Sequence, residues 1–295
     1  MFTIASSFDS FVQVFRFSAL RKKGSLPGWR CRFFPSLTYV DFLNNHLIYD
    51  VDLVIAAKER LIMLEIGEVQ RTPTVQVVIA ALNEEEGIEP TIAELKGVLG
   101  GAKFLVVDGH SVDATVEKAK SLGAEVVLQD GSGKGDALAK AIGHISKDTD
   151  YVVITDADFT YPANHIPHMI QTLEKNADIG MVCGNRFSGY VNLKGTNSFF
   201  YIGNRLIAFA HNILNGIQLI DPLTGLRVVR AEILRNWKVE SKGFDVEVEL
   251  NHRVEREGFG IVEVPIQYRA RLGEKKLTAR HGTEILKRII LETTY

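Results

Sequence analysis

The chain has 295 residues, 46% of them apolar and 24% charged, with 34 Lys+Arg against 36 Asp+Glu and a formal net charge of −2. This suffices for one large α/β domain or two small ones, and it excludes intrinsic disorder and a strongly basic nucleic-acid-binding surface. The two cysteines, Cys31 and Cys183, lie far apart and form neither a disulfide framework nor a CxxC metal knuckle, so a reducing, cytoplasmic setting is expected.

Residues 1–70 read as an N-terminal extension ahead of a domain over residues 71–295. Up to position 33, six basic residues (Arg16, Arg21, Lys22, Lys23, Arg30, Arg32) face one acid, Asp9. No basic segment precedes an apolar core, and no small-residue cleavage site follows, so a signal peptide is not expected. The preferred reading is a poorly ordered extension with the functional start near Met63. The other is an amphipathic membrane anchor, with Phe8, Phe11, Val12, Phe15 and Phe17 ahead of Arg21-Lys22-Lys23. Residues 51–68 suit one helix and hold nothing catalytic. No apolar run approaches the ~18–20 residues that span a bilayer, so no transmembrane helix is expected.

From residue 75 the punctuation is regular. Strands are predicted at 75–80, 102–108, 124–129 and 151–158. Helices follow from Asn83, around 116–122, and from Gly131–Gly135 through Ile145. The acids Glu84–Glu86 suit the positive end of the first helix. Strands alternating with helices imply right-handed βαβ units and a mostly parallel sheet, whose ligands bind at the carboxyl ends of the strands. Asn83, Glu84, Asp108, Asp130, Asp156 and Asp158 all fall at such ends.

Three motifs carry chemistry. Asp156-Ala157-Asp158 closes a strand, where alternation places both carboxylates on one side. Two close carboxylates repel unless a cation neutralises them, and their hard oxygens suit Mg²⁺ or Mn²⁺ shared with substrate phosphates. The alternative is a solvated turn that caps the next helix. Asp108 ends the second strand, where a carboxylate can accept hydrogen bonds from a base or ribose hydroxyl. Asp113 reads as a helix cap. Gly131-Ser132-Gly133-Lys134-Gly135 fails as a P-loop, because Gly135 stands where Ser or Thr is needed. Lys134 remains a candidate phosphate neighbour at a helix start.

Together these residues resemble glycosyltransferase family 2, and within it the dolichyl-phosphate mannose or glucose synthase branch. The resemblance covers about residues 75–290. It runs through VVIAALNEEEGI (77–88), VVDGHSVDAT (106–115), GKGDALAKAI (133–142), ITDADFTYP (154–162), GNRF (184–187), DPLTGLRVV (221–229), GFDVEVEL (243–250) and VPIQYRARLGEKKL (264–277). It implies a GT-A nucleotide-diphospho-sugar transferase fold with a mostly parallel, Rossmann-like sheet flanked by helices. It further implies an inverting, Mg²⁺- or Mn²⁺-dependent transfer of hexose from GDP-mannose or UDP-glucose to dolichyl or polyprenyl phosphate.

The resemblance also assigns roles. Ala81, Asn83, Glu84, Asp108, Lys134, Asp156, Ala157 and Asp158 would bind the nucleotide sugar, with Asp156 and Asp158 on the metal. Ala80 stands where the family has Pro, and Gly109 where it commonly has a second Asp. Thr160 holds the position of a polar residue often used after the Asp pair. Arg186, Arg227, Arg271 and Lys276 would be catalytic cations on phosphate. Asp221, Thr224 and Gly225 would shape the acceptor side. An anionic phosphate acceptor needs such cations and no strong base. A hydroxyl acceptor would need one, and the candidates are Asp245, Glu247 and Glu249, of which at least one is expected to face solvent.

The apolar helix predicted over 197–216 reads equally as core or as a membrane-facing segment. Seven basic residues (Arg269, Arg271, Lys275, Lys276, Arg280, Lys287, Arg288) against three acids after Pro265 suit an anionic membrane surface. A peripheral protein on the cytoplasmic face of a membrane follows. The competing readings are a soluble glycosyltransferase with a sugar or other hydroxyl acceptor, and a non-catalytic nucleotide-sugar-binding protein.

Overall fold

The computed structural model describes residues 30–31, 34–38, 71–187, 198–276 and 279–293. The chain divides into two units, Met1–Arg71 and Thr72–Tyr295. In the first, Arg30–Cys31 and Phe34–Thr38 pair as an antiparallel ribbon. The helix expected at 51–68 and the Phe-rich segment at 8–17 lie outside the described residues.

The second unit is built on a seven-stranded sheet: β1 (Val75–Ala81), β2 (Lys103–Asp108), β3 (Glu125–Leu128), β4 (Tyr151–Asp156), β5 (Ile179–Asn185), β6 (Arg227–Arg230) and β7 (Gly260–Pro265). Their order is β3-β2-β1-β4-β6-β5-β7. The pairs among β1 to β4 are parallel, and β5 pairs parallel with β7. Only β6 runs against its neighbours, β4 and β5. From β1 the chain moves outward to β3, then returns to place β4 on the other side of β1. Such a reversal opens a crevice at the carboxyl ends of the two central strands. Register sets Ala80 beside Asp156 and Ala81 beside Asp108, so the polar ends of β2 and β4 flank the end of β1.

The helices are α1 (Ile88–Val98), α2 (Thr115–Ser121), α3 (Lys134–Ile142), α4 (Ile166–Lys175), α5 (Ser198–Asn215), α6 (Ala231–Leu234), α7 (Val246–Arg256) and α8 (Ala279–Glu292). Strand alternation sends Val77 and Ile79 of β1 to one side, against Ile88 and Ile92 of α1 and Met169 and Leu173 of α4. Val78 points the other way, toward Leu138 of α3 and Val246 and Leu250 of α7. Burial on both faces is why these strands read as unbroken apolar runs.

Two boundaries differ from the sequence reading. Helix α1 starts at Ile88 rather than Asn83, because Asn83 adopts a left-handed φ of 48° and its Oδ1 accepts the Val112 amide at 2.8 Å. The acids at 84–86 therefore sit in a loop. Strand β4 ends at Asp156, so alternation does not set the direction of Asp158. A bend follows in which Phe159 takes φ 64°, an unfavourable value for a bulky residue and a mark of a constrained turn.

A buried histidine pair joins α5 and α7. The rings of His211 and His252 are 5.7 Å apart, and both residues are closed to solvent. Burial first, then the charges of His211 and Arg256, push His252 down to about 4. A depressed base takes its proton in the unfolded chain before the folded one does. Stability from this group is therefore full above about pH 6.5 and falls as pH drops toward 4, by about 3 kcal/mol in all. Melting the parent and His252→Gln at pH 7.5 and 5.0 checks this. The variant should lose less stability on acidification, and equal losses would refute the assignment.

Candidate active site

Asp156 and Asp158 open the site. Asp158 is 6% exposed, and its Oδ1 accepts both the Thr160 amide (3.1 Å) and hydroxyl (2.6 Å). Its Oδ2 lies 3.2 Å from the Arg271 guanidinium. Burial, then the nearby Asp156 charge, pushes the Asp158 carboxyl above its ordinary value. Ala157 between them turns into the core at 1% exposure, so its side chain is not open to a donor as expected.

Each cation expected near phosphate is paired with a carboxylate, with one exception. Lys134, the first residue of α3, reaches Asp156 Oδ1 at 2.6 Å and Glu247 Oε1 at 2.8 Å. Burial alone would lower its ammonium, but the charges of Asp156 and Glu247 reverse this and hold it above the usual lysine value. Gly133, at φ 90°, makes this placement feasible: a Cβ there would lie 2.3 Å from the Lys242 carbonyl oxygen. Arg271 bonds Glu84, and Lys276 reaches Glu84 Oε1 at 2.8 Å and the Asn83 carbonyl at 2.7 Å. Arg186 forms a bidentate pair with Asp221, both bonds at 2.7 Å, between the rings of Phe187 and Tyr268.

Arg227 is the exception and a correction. It is 1% exposed, and its donors go to Asn251 Oδ1 (2.6 Å), Pro222 O (2.7 Å) and Thr224 O (2.9 Å). It fastens the 222–224 turn from beneath, with no open face for a phosphate. Thr224, also closed to solvent, belongs to that turn. Gly225 lies where the turn crosses Asp156, and a Cβ there would sit 2.3 Å from Asp156 Oδ2.

The base-binding residues also behave differently from the expectation. Asp108 is fully buried, with Oδ1 and Oδ2 taken by the Ser111 amide and hydroxyl. It therefore shapes the turn beside Asn83 instead of presenting a free carboxylate. The Ala81 carbonyl accepts a hydrogen bond from the Gly109 amide at 2.8 Å, which ties β1 to the same turn. Asp113, read as a cap, accepts the Thr115 amide at 3.0 Å. The acids of α7 correct another expectation. Glu247 and Glu249 are 5% and 4% exposed, and Asp245 bonds the Gly243 amide, so none simply faces solvent.

The basic segment that carries Arg271 and Lys276 forms a strap over the site, held by partners that the sequence does not mark. Residues 269–276 fold back over the Asp pair through Arg269 N to Thr160 O (3.0 Å) and Leu272 N to Asp158 O (3.1 Å). Arg269 forks onto Glu94 at 2.6 and 2.9 Å and lies over Phe159, 4.4 Å from its ring centre. The basic tail also needs correcting: Arg269, Arg271, Lys276 and Arg288 direct their charge inward, Arg288 toward Glu240, Asp245, Glu249 and Glu292.

Among the described residues no three His, Cys, Asp or Glu side chains form a complete metal cage. Two carboxylates with hard oxygens, one pushed up by burial and then by its neighbour's charge, still fit a divalent cation that takes its remaining ligands from a diphosphate and water.

Comparison with known proteins agrees with this arrangement. Residues 76–237 match the family model described as Glycosyl transferase family 2. The chain is similar to the Dolichyl-phosphate hexose transferase of Haloferax volcanii, at 33% identity over 73% of this chain and 92% of that one. It is 29% identical to the Undecaprenyl-phosphate mannosyltransferase of Micrococcus luteus over 69% and 87%. In structure it is similar to glucosyl-3-phosphoglycerate synthase from Mycobacterium tuberculosis in complex with UDP. The TM-score is 0.62 at 23% identity, over 79% and 84% of the two chains. A complex of that synthase with Mn²⁺, UDP and glucosyl-3-phosphoglycerate gives 0.58 at 24% identity, over 75% and 78%. The α/β sheet described above is thus of the GT-A type.

Proposed function

We propose, from the premise that this chain belongs to glycosyl transferase family 2 and is a glycosyltransferase, that it moves a hexose from a nucleotide sugar to a polyprenyl phosphate at a membrane surface. The observation that carries this reading is the Asp156–Asp158 pair ringed by Lys134, Arg271 and Lys276 at the carboxyl ends of β1 and β4. Such a ring suits two anions brought together, a donor diphosphate and an acceptor phosphate. The names of the Haloferax and Micrococcus relatives support the acceptor class.

Asp156 and Asp158 would hold Mg²⁺ or Mn²⁺, which when bound supplies Lewis-acid stabilisation of the leaving diphosphate. Lys134 and Arg271, now bound to those carboxylates, would then have donors to turn toward phosphate oxygens. Glu84 and Asn83 would meet the nucleotide where Lys276 now lies. An acceptor phosphate oxygen attacks the anomeric carbon, and the bond to the diphosphate breaks with its electron pair leaving on the nucleoside diphosphate. The second ionisation of a phosphate monoester lies near pH 6, so the attacking oxygen needs no base at neutral pH.

The membrane reading rests on α5. Ile202, Leu206, Phe209 and Ile213 recur at helical spacing and are all more than 60% exposed. Ile290 of the neighbouring α8 is 59% exposed, and Arg205 and Lys287 are exposed beside them. This stripe is not core; it suits shallow contact with lipid rather than a crossing. No described helix is long and apolar enough to cross a membrane. Of Phe199 and Phe200 only the backbone is described.

One observation favours a second reading, transfer to a hydroxyl. Glu247 faces the site, as a base would. The Lys134 ammonium, 2.8 Å from Glu247 Oε1, weighs against this, since it already occupies the oxygen that a hydroxyl proton would need. The proposal is tested with labelled GDP-mannose and UDP-glucose, each supplied with dolichyl phosphate and Mn²⁺. Label from one donor should pass into organic solvent, and EDTA should abolish the transfer. Label that stays in water in every arm, or full turnover in excess chelator, would overturn the acceptor or the metal assignment respectively.

A further inference from the structure

Lys134 is shared by two carboxylates from different elements, Asp156 at the end of β4 and Glu247 in the first turn of α7. The three are unequally buried. The side chains of Lys134 and Glu247 are 11% and 6% exposed, against 30% for Asp156. Behind them lies a cavity with an apolar wall of Val78, Ala137, Leu138, Ile154 and Leu250. The second Glu247 oxygen, Oε2, is buried with no hydrogen-bond partner among the described residues. Backbone holds the pair together. The Gly135 amide donates to the Lys242 carbonyl at 2.9 Å, which fixes the start of α3 against the segment leading into α7.

A buried ammonium cannot be left without a counter-charge at small cost. If Asp156 turns to a divalent cation, Lys134 needs another partner, and Glu247 is already in contact with an oxygen to spare. We propose that Glu247 is a positioning residue that retains Lys134 when Asp156 is taken by the divalent cation, and thereby sets how readily the Asp pair accepts that cation. The inference rests on the reading in which Asp156 and Asp158 hold the metal. Lys134 stays protonated throughout, so no proton transfer is involved. Glu247 acts through Lys134, not on the acceptor, which distinguishes it from the general base of the hydroxyl-acceptor reading.

The test is Mn²⁺ alone, titrated into the full chain and followed by the electron paramagnetic resonance signal of free Mn²⁺, with melting temperature as control. Without Glu247, Lys134 has only Asp156 to neutralise it and competes with Mn²⁺. Glu247→Gln should therefore raise the half-saturating Mn²⁺ concentration about 10-fold or more. Adding Lys134→Met to Glu247→Gln removes the competing ammonium and should restore binding to the parent level or better. A merely structural role for Glu247 would not be rescued by deleting a second buried group. Should Glu247→Gln melt below the assay temperature, Glu247→Asp, which keeps the charge, should fold and bind Mn²⁺ within about threefold of the parent. Equal Mn²⁺ affinity in parent and Glu247→Gln, a loss that Lys134→Met does not reverse, or a Glu247→Asp outside that range would overturn the proposal. A parent that binds no Mn²⁺, either alone or with a nucleoside diphosphate added, would remove the metal reading itself, and this inference with it.

Discussion

Asp158→Asn should lower turnover by about 10²-fold or more, a loss of ~3 kcal/mol of transition-state stabilisation, while leaving the protein at least as stable as the parent. The two effects separate because they have different origins. The carboxylate at 158 is buried and crowded by Asp156, which pushes its pKa up, so its ionised form costs stability at neutral pH. Asn removes that charge yet can keep Oδ1 on the Thr160 amide and hydroxyl. It cannot supply an anionic oxygen at the Oδ2 position, now facing Arg271. Turnover and melting temperature of the purified variant check both halves. Near-parent turnover would remove Asp158 from the chemistry. A large drop in melting temperature would make its role structural.

Gly225→Ala should cost turnover about as much, for a steric reason. The added Cβ would stand 2.3 Å from Asp156 Oδ2, 2.9 Å from its Cγ and 3.0 Å from the Tyr161 ring. The Asp156 carboxylate ends a short side chain already held by Lys134, and the Tyr161 ring is buried. Tyr161 is fixed by the Gly225 amide, which donates to its hydroxyl at 2.7 Å. Either Asp156 rotates away or the 222–225 turn lifts, and a displacement of about 1 Å at a catalytic group costs on the order of 10² in rate. Overpacking should also lower stability by about 1–3 kcal/mol. The rate loss should exceed what partial unfolding explains, so turnover is compared well below the variant's melting temperature. Parent-like turnover there would mean that Asp156 is not held in place by this contact.

The parallel half of the sheet was legible because its strands are buried on both faces and separated by helices that carry turn chemistry. Val75–Ala81 and Tyr151–Asp156 read as strands from apolar content alone. Strand ends were less legible, since Asn83 and Phe159 leave regular structure by local dihedral choices that periodicity does not encode. β6 was harder still: four residues, Arg at both ends, and a direction fixed only by pairing with β4 and β5.

Within the site, residue types were readable and their partners were not. Arg271 meets Glu84 across 187 positions, and Arg269 meets Glu94 across 175. Nothing local in either segment marks the other. Arg227 shows the converse, an arginine in a functional-looking motif whose guanidinium holds backbone carbonyls. Lys134 and Glu247 both stood out in the sequence, but only the docking of α3 against the approach to α7 shows them to be one unit.

The acceptor's phosphate decides the central assignment, and dolichol differs from dolichyl phosphate by that group alone. Initial rates are compared for the two lipids at equal concentration, in one detergent, with the donor that the parent uses. A nucleophile ionised without a base, held by Arg271 and Lys276, predicts transfer to dolichyl phosphate at least about 10²-fold faster, the loss of one to two charge-assisted contacts and of the anionic oxygen itself. Equal rates with dolichol would mean that the enzyme attacks through a hydroxyl, with Glu247 as its base, and that the lipid-phosphate assignment is wrong.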